Sequence, residues 1–143
     1  MYVTEVEFGT PAYDELIYLR DILLRKPLNL EFTPEDLSTE YTSTHLAAYA
    51  SDDELLGTLV MKPLTDGQIK MRQVAVFPQH QKKGIGQLMV AASEDFSKNN
   101  GYKEIVLSAR VPAVPFYEKL GYKVTGDLYI EVGIDHYKMI KKL

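Results

Sequence analysis

Val74-Ala75-Val76-Phe77-Pro78-Gln79-His80-Gln81-Lys82-Lys83-Gly84-Ile85-Gly86-Gln87-Leu88-Met89-Val90 is the stretch whose reading decides the fold. An apolar strand ends at Phe77 and Pro78 stops it; a loop with two glycines and two lysines follows, then a helix. From Gly84 to Asn100 the apolar residues Ile85, Leu88, Met89, Ala92 and Phe96 recur at helical spacing, and Asn100-Gly101 supplies a stop. The first N–H groups of such a helix have no partner within it, and the helix dipole places partial positive charge at the same end. Gly84 and Gly86 carry no Cβ to hold a ligand off the backbone, and Lys82 and Lys83 add charge. These features together describe a seat for a phosphate or pyrophosphate. The competing reading is a surface loop whose glycines only let the chain turn. The dinucleotide fingerprint fails because Met89 occupies the place of its third small residue, and the nucleotide-triphosphate loop fails because Gly86 is followed by Gln87 and Leu88.

Outward from this loop, the upstream half reads as a strand, two helices and three strands. Tyr2–Phe8 alternates with period two, and Pro11 opens a helix carrying Leu16, Ile17, Tyr18, Leu23 and Leu24 that Pro27 ends. Thr33, Pro34 and Asp36 begin a second helix as N-cap, first position and near capping box. Residues 45–50 and 55–62 form a hairpin about Ser51-Asp52-Asp53-Glu54, and 68–77 gives a third strand. Downstream, 104–109 looks like a buried parallel strand, 114–120 a short helix closed by Gly121, and segments near 122–124 and 136–140 two last strands. The order β α α β β β α β α β β calls for a mixed sheet with helices on its faces.

Composition bounds the rest. The chain has 143 residues, 45% hydrophobic and 25% charged, which suits one globular domain over 1–143. With no cysteine, thiolate metal sites, disulfides and cysteine nucleophiles are excluded. The longest apolar stretch, Leu55–Met61, is far short of the roughly 20 residues that span a membrane, so no membrane partner is expected. The opening MYVTEVEFGT has no basic leader, and a cytoplasmic protein is the expectation. Net charge is −4, but residues 1–60 hold 3 Lys/Arg against 12 Asp/Glu, whereas 61–143 hold 13 against 8. An acidic front thus precedes a basic rear that contains the glycine loop. That loop explains the basic excess better than nucleic-acid binding does.

Gln81-Lys82-Lys83-Gly84-Ile85-Gly86 resembles the Q/R-x-x-G-x-G/A signature of the GNAT superfamily of N-acetyltransferases. About thirty residues later, Phe116-Tyr117-Glu118-Lys119-Leu120-Gly121-Tyr122 is similar to that family's F-Y-x-K-x-G-F/Y phrase. Glu131-Val132-Gly133-Ile134-Asp135-His136 looks like the ending of an ElaA-like branch. The resemblance implies an α/β (α+β) fold, a mixed, mostly antiparallel sheet with splayed central strands and helices on both faces. It implies acetyl-coenzyme A as co-substrate, without a metal, and an amine as acceptor.

By position, the resemblance gives the pyrophosphate to backbone N–H groups from Gln81, Lys82, Lys83, Gly84, Ile85, Gly86 and Gln87. Val74, Ala75 and Val76 would line the pantetheine arm, with the Val76 N–H donating to the thioester oxygen. Tyr117 matches the tyrosine that protonates the departing thiolate. The carboxylate that many relatives carry before the loop is missing, since Met71, Arg72 and Gln73 stand there; Glu131 and His136 are the substitute bases. Arg110 replaces an asparagine found in several relatives seven residues before the tyrosine, leaving it to reach a coenzyme phosphate, close the acceptor pocket, or sit in solvent. Glu31, Glu35, Asp36 and Glu40 would suit a cationic amine. Two other readings stay open: a non-catalytic acyl-CoA-binding sensor or scaffold, and a transferase acting on protein lysines or N-termini. Dimers are common among similar proteins.

Overall fold

The computed structural model describes residues 1–143. Its elements are β1 (Tyr2–Val6), α1 (Pro11–Arg20), α2 (Pro34–Ser38), β2 (Thr44–Tyr49), β3 (Leu55–Pro63), β4 (Gln68–Val76), α3 (Ile85–Asn99), β5 (Glu104–Arg110), α4 (Val114–Lys119), β6 (Lys123–Glu131) and β7 (Ile134–Lys142). The order is the one the sequence predicts, with helix starts where the caps place them. The Thr10 side chain accepts from the Tyr13 N–H with Pro11 at the first turn. Thr33 and Asp36 exchange a full capping box. Two features exceed the expectation. The last strands are nine residues each, because their polar, half-exposed alternation hides their length. Beyond Arg20 the first helix widens into a π-turn over Asp21–Arg25, and Pro27 sits in the 3₁₀ turn that ends it.

One seven-stranded sheet runs β1-β2-β3-β4-β5-β7-β6. Every pairing is antiparallel except β4 with β5. That parallel pairing is short: Gln68 to Met71 align with Glu104 to Leu107, and the ladder stops there. Further on, β4 stays with β3 while β5 stays with β7 as far as Arg110 opposite His136. The sheet therefore splits between Gln73–Val76 on one side and Ser108–Arg110 on the other.

A bulge accompanies the split. Thr58 pairs with Ala75 and Val60 with Arg72, so Leu59 alone faces both Gln73 and Val74. Gln73 takes a left-handed φ of +54°, a strained conformation for a residue other than glycine.

The main core lies on the face covered by α3 and α4. Leu59, Met61, Ile69, Met71, Ile105, Leu107 and Met139 from the sheet meet Ile85 and Met89 of α3, all nearly inaccessible to solvent. Burying each such side chain contributes roughly 1.5–3 kcal/mol. On the opposite face, α1 packs Tyr13 and Leu16 on Val6 and Ala47. Farther along, the same helix packs on β3 and β4. No helix is long and apolar enough to cross a membrane.

Candidate functional site

The glycine loop follows the split directly. After Val76 the chain makes a 3₁₀ turn over Pro78–His80, Lys82 adopts a left-handed φ of +63°, and Gly84, at φ +80°, is the N-cap of α3. A Gly84 Cβ would meet nothing within 4 Å, so its backbone conformation, not crowding, requires glycine there. Gly86 has an ordinary φ, and its added Cβ would come within 3.4 Å of the Phe116 ring, so its role is to let α4 close on α3. No side chain caps α3, which leaves its leading N–H groups open beside the exposed Lys82 and Lys83. The Gln81 amide bonds back to the Val76 carbonyl at 3.1 Å and fixes the loop to the strand end.

The Phe77 N–H donates to the Leu56 carbonyl, so β4 residues alternate in direction from there. The backbone groups of Val74 and Val76 then face the gap, whereas those of Ala75 face β3. Ala75 is buried and contributes packing.

At the mouth of the split lies a cavity of about 390 Å³. Its walls join the gap residues Val74 and Ser108 to Tyr117 of α4 and to Arg110, Glu131 and His136. Leu24, Arg25 and Leu30, from the segment between α1 and α2, close the far side. Tyr117, Glu131 and His136, far apart in the sequence reading, thus border one space.

Tyr117 is 8% exposed, its ring edge-on to Phe116 and Tyr122. Burial alone pushes its hydroxyl up to about 12, so it holds its proton at neutral pH. Its helix is braced from below: Glu94 accepts from the Tyr122 hydroxyl and the Lys141 ammonium, which also donates to the Leu120 carbonyl.

His136 is 5% exposed. Its Nδ1 lies 2.7 Å from the Ile134 carbonyl, which can only accept, so Nδ1 carries the proton of the neutral ring. That leaves Nε2 with a free lone pair, 3.9 Å from Glu131 Oε2. Tyr129 stacks on the same ring and hydrogen-bonds Ser108 through its hydroxyl, locking the imidazole against β5. The turn linking β6 to β7, Val132-Gly133, has φ of +47° and +75°, as a two-residue type I′ turn requires.

A second polar group was not visible in the sequence. Arg20, 1% exposed, makes a bidentate pair with Glu40 at 2.8 and 2.6 Å, and its Nε donates to the Gln73 side chain. The Tyr13 hydroxyl also donates to Glu40, and His45 Nε2 lies 3.0 Å from the Glu40 carbonyl. Burial works against the Glu40 charge, but Arg20, Tyr13 and His45 outweigh it and hold the carboxyl below its usual range. Glu40 is therefore occupied inside the protein. Glu31, Glu35 and Asp36 line no part of the reaction-sized cavity either. The one carboxylate facing it is Glu131.

Comparison with known proteins places the family and the fold. Residues 26–143 match the sequence model described as an acetyltransferase (GNAT) domain. The chain is 30% identical over 129 residues to the uncharacterised N-acetyltransferase YjcF of Bacillus subtilis, covering 89% of this chain and 90% of that one. An aminoglycoside 6′-N-acetyltransferase complexed with coenzyme A superposes with a TM-score of 0.82 at 20% identity, covering 99% and 97% of the two chains. A GNAT-family acetyltransferase of Elizabethkingia anophelis with acetyl-CoA bound gives 0.75 at 20% identity, over 99% and 97%.

Proposed function

Because the chain belongs to the GNAT family of acetyltransferases, we propose that its residues 1–143 act as one domain that moves the acetyl group of acetyl-CoA directly onto a primary amine. The observation that carries this reading is the 390 Å³ cavity, where the split between β4 and β5 meets Tyr117 on one wall and His136 on another.

The chain's own groups divide the work. The open N–H groups at the start of α3, from Gln81 to Gln87, hold the pyrophosphate with help from Lys82 and Lys83. The pantetheine arm enters the split and pairs with Val74 and Val76 as an added strand would. There the thioester carbonyl meets a gap-facing N–H of β4, which stabilises the oxyanion that attack creates.

His136 Nε2 removes the surplus proton as the amine nitrogen bonds to the acetyl carbon. Glu131, beside it, stabilises the imidazolium that results. As the C–S bond breaks, the sulfur takes the Tyr117 hydroxyl proton. A phenol near 12 is a weak acid, but the burial that raises it also destabilises a free thiolate, so transfer accompanies bond cleavage. With no cysteine in the chain, no cysteinyl acyl-enzyme forms, and amine and thioester meet in a ternary complex.

Initial thiol-release rates with both substrates varied test this. Intersecting double-reciprocal lines are expected; parallel lines, the mark of a covalent acetyl-enzyme, would contradict it.

A further inference from the structure

Strand alternation puts Lys70 and Arg72 of β4, Lys62 of β3, Ser108 of β5 and Lys138 of β7 on one face of the sheet, the face away from α3. Lys62 pairs with Lys70, and Ser108 with Lys138, which fixes that common side. On this face α1 packs on β3 and β4, and no helix packs comparably on β5 or β7. A depression of about 620 Å³ results, and it runs into the reaction cavity: Lys70, Arg72, Leu107 and Ser108 border both.

Four cations meet there, yet none takes part in an ion pair. The chain's ion pairs are Arg20–Glu40, Lys26–Asp21 and Lys141–Glu94, and two further carboxylates, Glu54 and Glu131, lie against the histidines His80 and His136. Asp127 is the one carboxylate on the wall of the depression. Lys70 is half-buried, and its ammonium is held below the usual lysine range by that burial first; Glu131 opposes the shift, while Arg72, Lys62 and Lys138 add to it. Crowded cations cost free energy that an anion would remove. The coenzyme phosphates are badly placed to be that anion. Their loop begins after Val76, six residues along the strand from Lys70, or about 20 Å.

We propose that the acceptor is an amine that also carries a phosphate or carboxylate, its nitrogen at His136 and its anionic group held by Lys70, Arg72 and Lys138. This rests on the acetyl-transfer reading above. His136 and Lys138 lie two residues apart on one face of β7, about 7 Å along the strand, a spacing that favours an acceptor longer than a simple α-amino acid.

The test uses pairs of amines that differ only in the anion: an amino sugar against its phosphate ester, and an ω-amino acid against its amide. Thiol release from acetyl-CoA is expected to be about tenfold or more higher in kcat/KM for the anionic member. Comparison of the two pairs identifies phosphate or carboxylate as the preferred group. Lys70→Gln and Lys138→Gln should each raise the KM of that acceptor about tenfold without raising the KM for acetyl-CoA. Equal or better turnover of the uncharged members, or an unmoved KM in both variants, would overturn the proposal and leave acetyl transfer standing. If no amine releases thiol, the transfer reading fails instead. The same pairs, titrated calorimetrically onto the coenzyme-loaded protein, then decide the groove: binding confined to the anionic members and weakened in both variants supports it, and equal or absent binding overturns it.

Discussion

Arg20 Nε donates to the side-chain oxygen of Gln73 at 3.2 Å, tying the buried end of α1 to the one strained residue of β4. Gln73 is where β4 bulges and where its partnership with β5 has ended. The ion pair between Arg20 and Glu40 thus anchors the position from which the sheet splits, although neither residue lines the cavity.

Removing one member of that pair strands the other charge out of water. Arg20→Met is expected to lower unfolding free energy by about 3–5 kcal/mol, whereas Arg20→Met combined with Glu40→Leu should recover most of the loss. Urea titration of the two variants measures this. A double variant as unstable as the single one would mean that the pair itself, and not the orphaned carboxylate, carries the stability.

Stability should fall on the acid side in two stages. Burial lowers the His45 value, and although the Glu40 carbonyl and carboxylate oppose it, the ring stays neutral in the fold. Its Nδ1 is buried without a partner, so a proton added there finds no acceptor. The unfolded chain binds that proton near pH 6.5 and the folded chain only lower, so stability is full above about 6.5 and declines below it. Glu40, also depressed, adds a further loss as pH drops below about 4.3, the ordinary glutamate value. Thermal unfolding from pH 8 to about pH 3 should show a flat region, then both stages of decline, and His45→Gln should remove the upper stage.

His136 and Glu131 should separate in kinetics. Losing a general base costs 10²-fold or more, so His136→Gln is expected to reduce kcat about a hundredfold. Glu131→Gln, which keeps the imidazole and removes only a neighbouring charge on an exposed side chain, should cost less than about tenfold. Steady-state rates at saturating acetyl-CoA read both; a larger effect at Glu131 would make the carboxylate the base.

Val132 holds a left-handed φ that a β-branched residue disfavours. Val132→Asn supplies the residue that a type I′ turn prefers before glycine and should raise stability by about 1 kcal/mol. A rise in Tm measures it, and a fall would mean that Val132 contributes more through the cavity wall it lines.

How far these features could be read beforehand depends on whether they are local. The start of α3, the Thr33 capping box and the β2–β3 hairpin are written in consecutive residues, and all three stand where the sequence puts them. Gln73 carries no such mark: nothing about a glutamine foretells a positive φ, which arises from the bulge against Leu59. Glu40 reads as one more carboxylate of an acidic front, because its partner Arg20 lies across an irregular turn and two short helices. Lys62, Lys70 and Lys138 look like ordinary solvated lysines until the register places them side by side. Sequence motifs point to His136 and Tyr117; that they share a cavity is a product of the sheet's topology.

The central claim, that the cavity at the sheet's split is where the thiolate leaves, turns on the Tyr117 hydroxyl. Thiol release by Tyr117→Phe, with acetyl-CoA and amine each varied, tests it with the loss of one oxygen atom. The account predicts kcat reduced about a hundredfold, with the KM for acetyl-CoA changed less than about threefold. Unchanged kcat in the folded variant would contradict it.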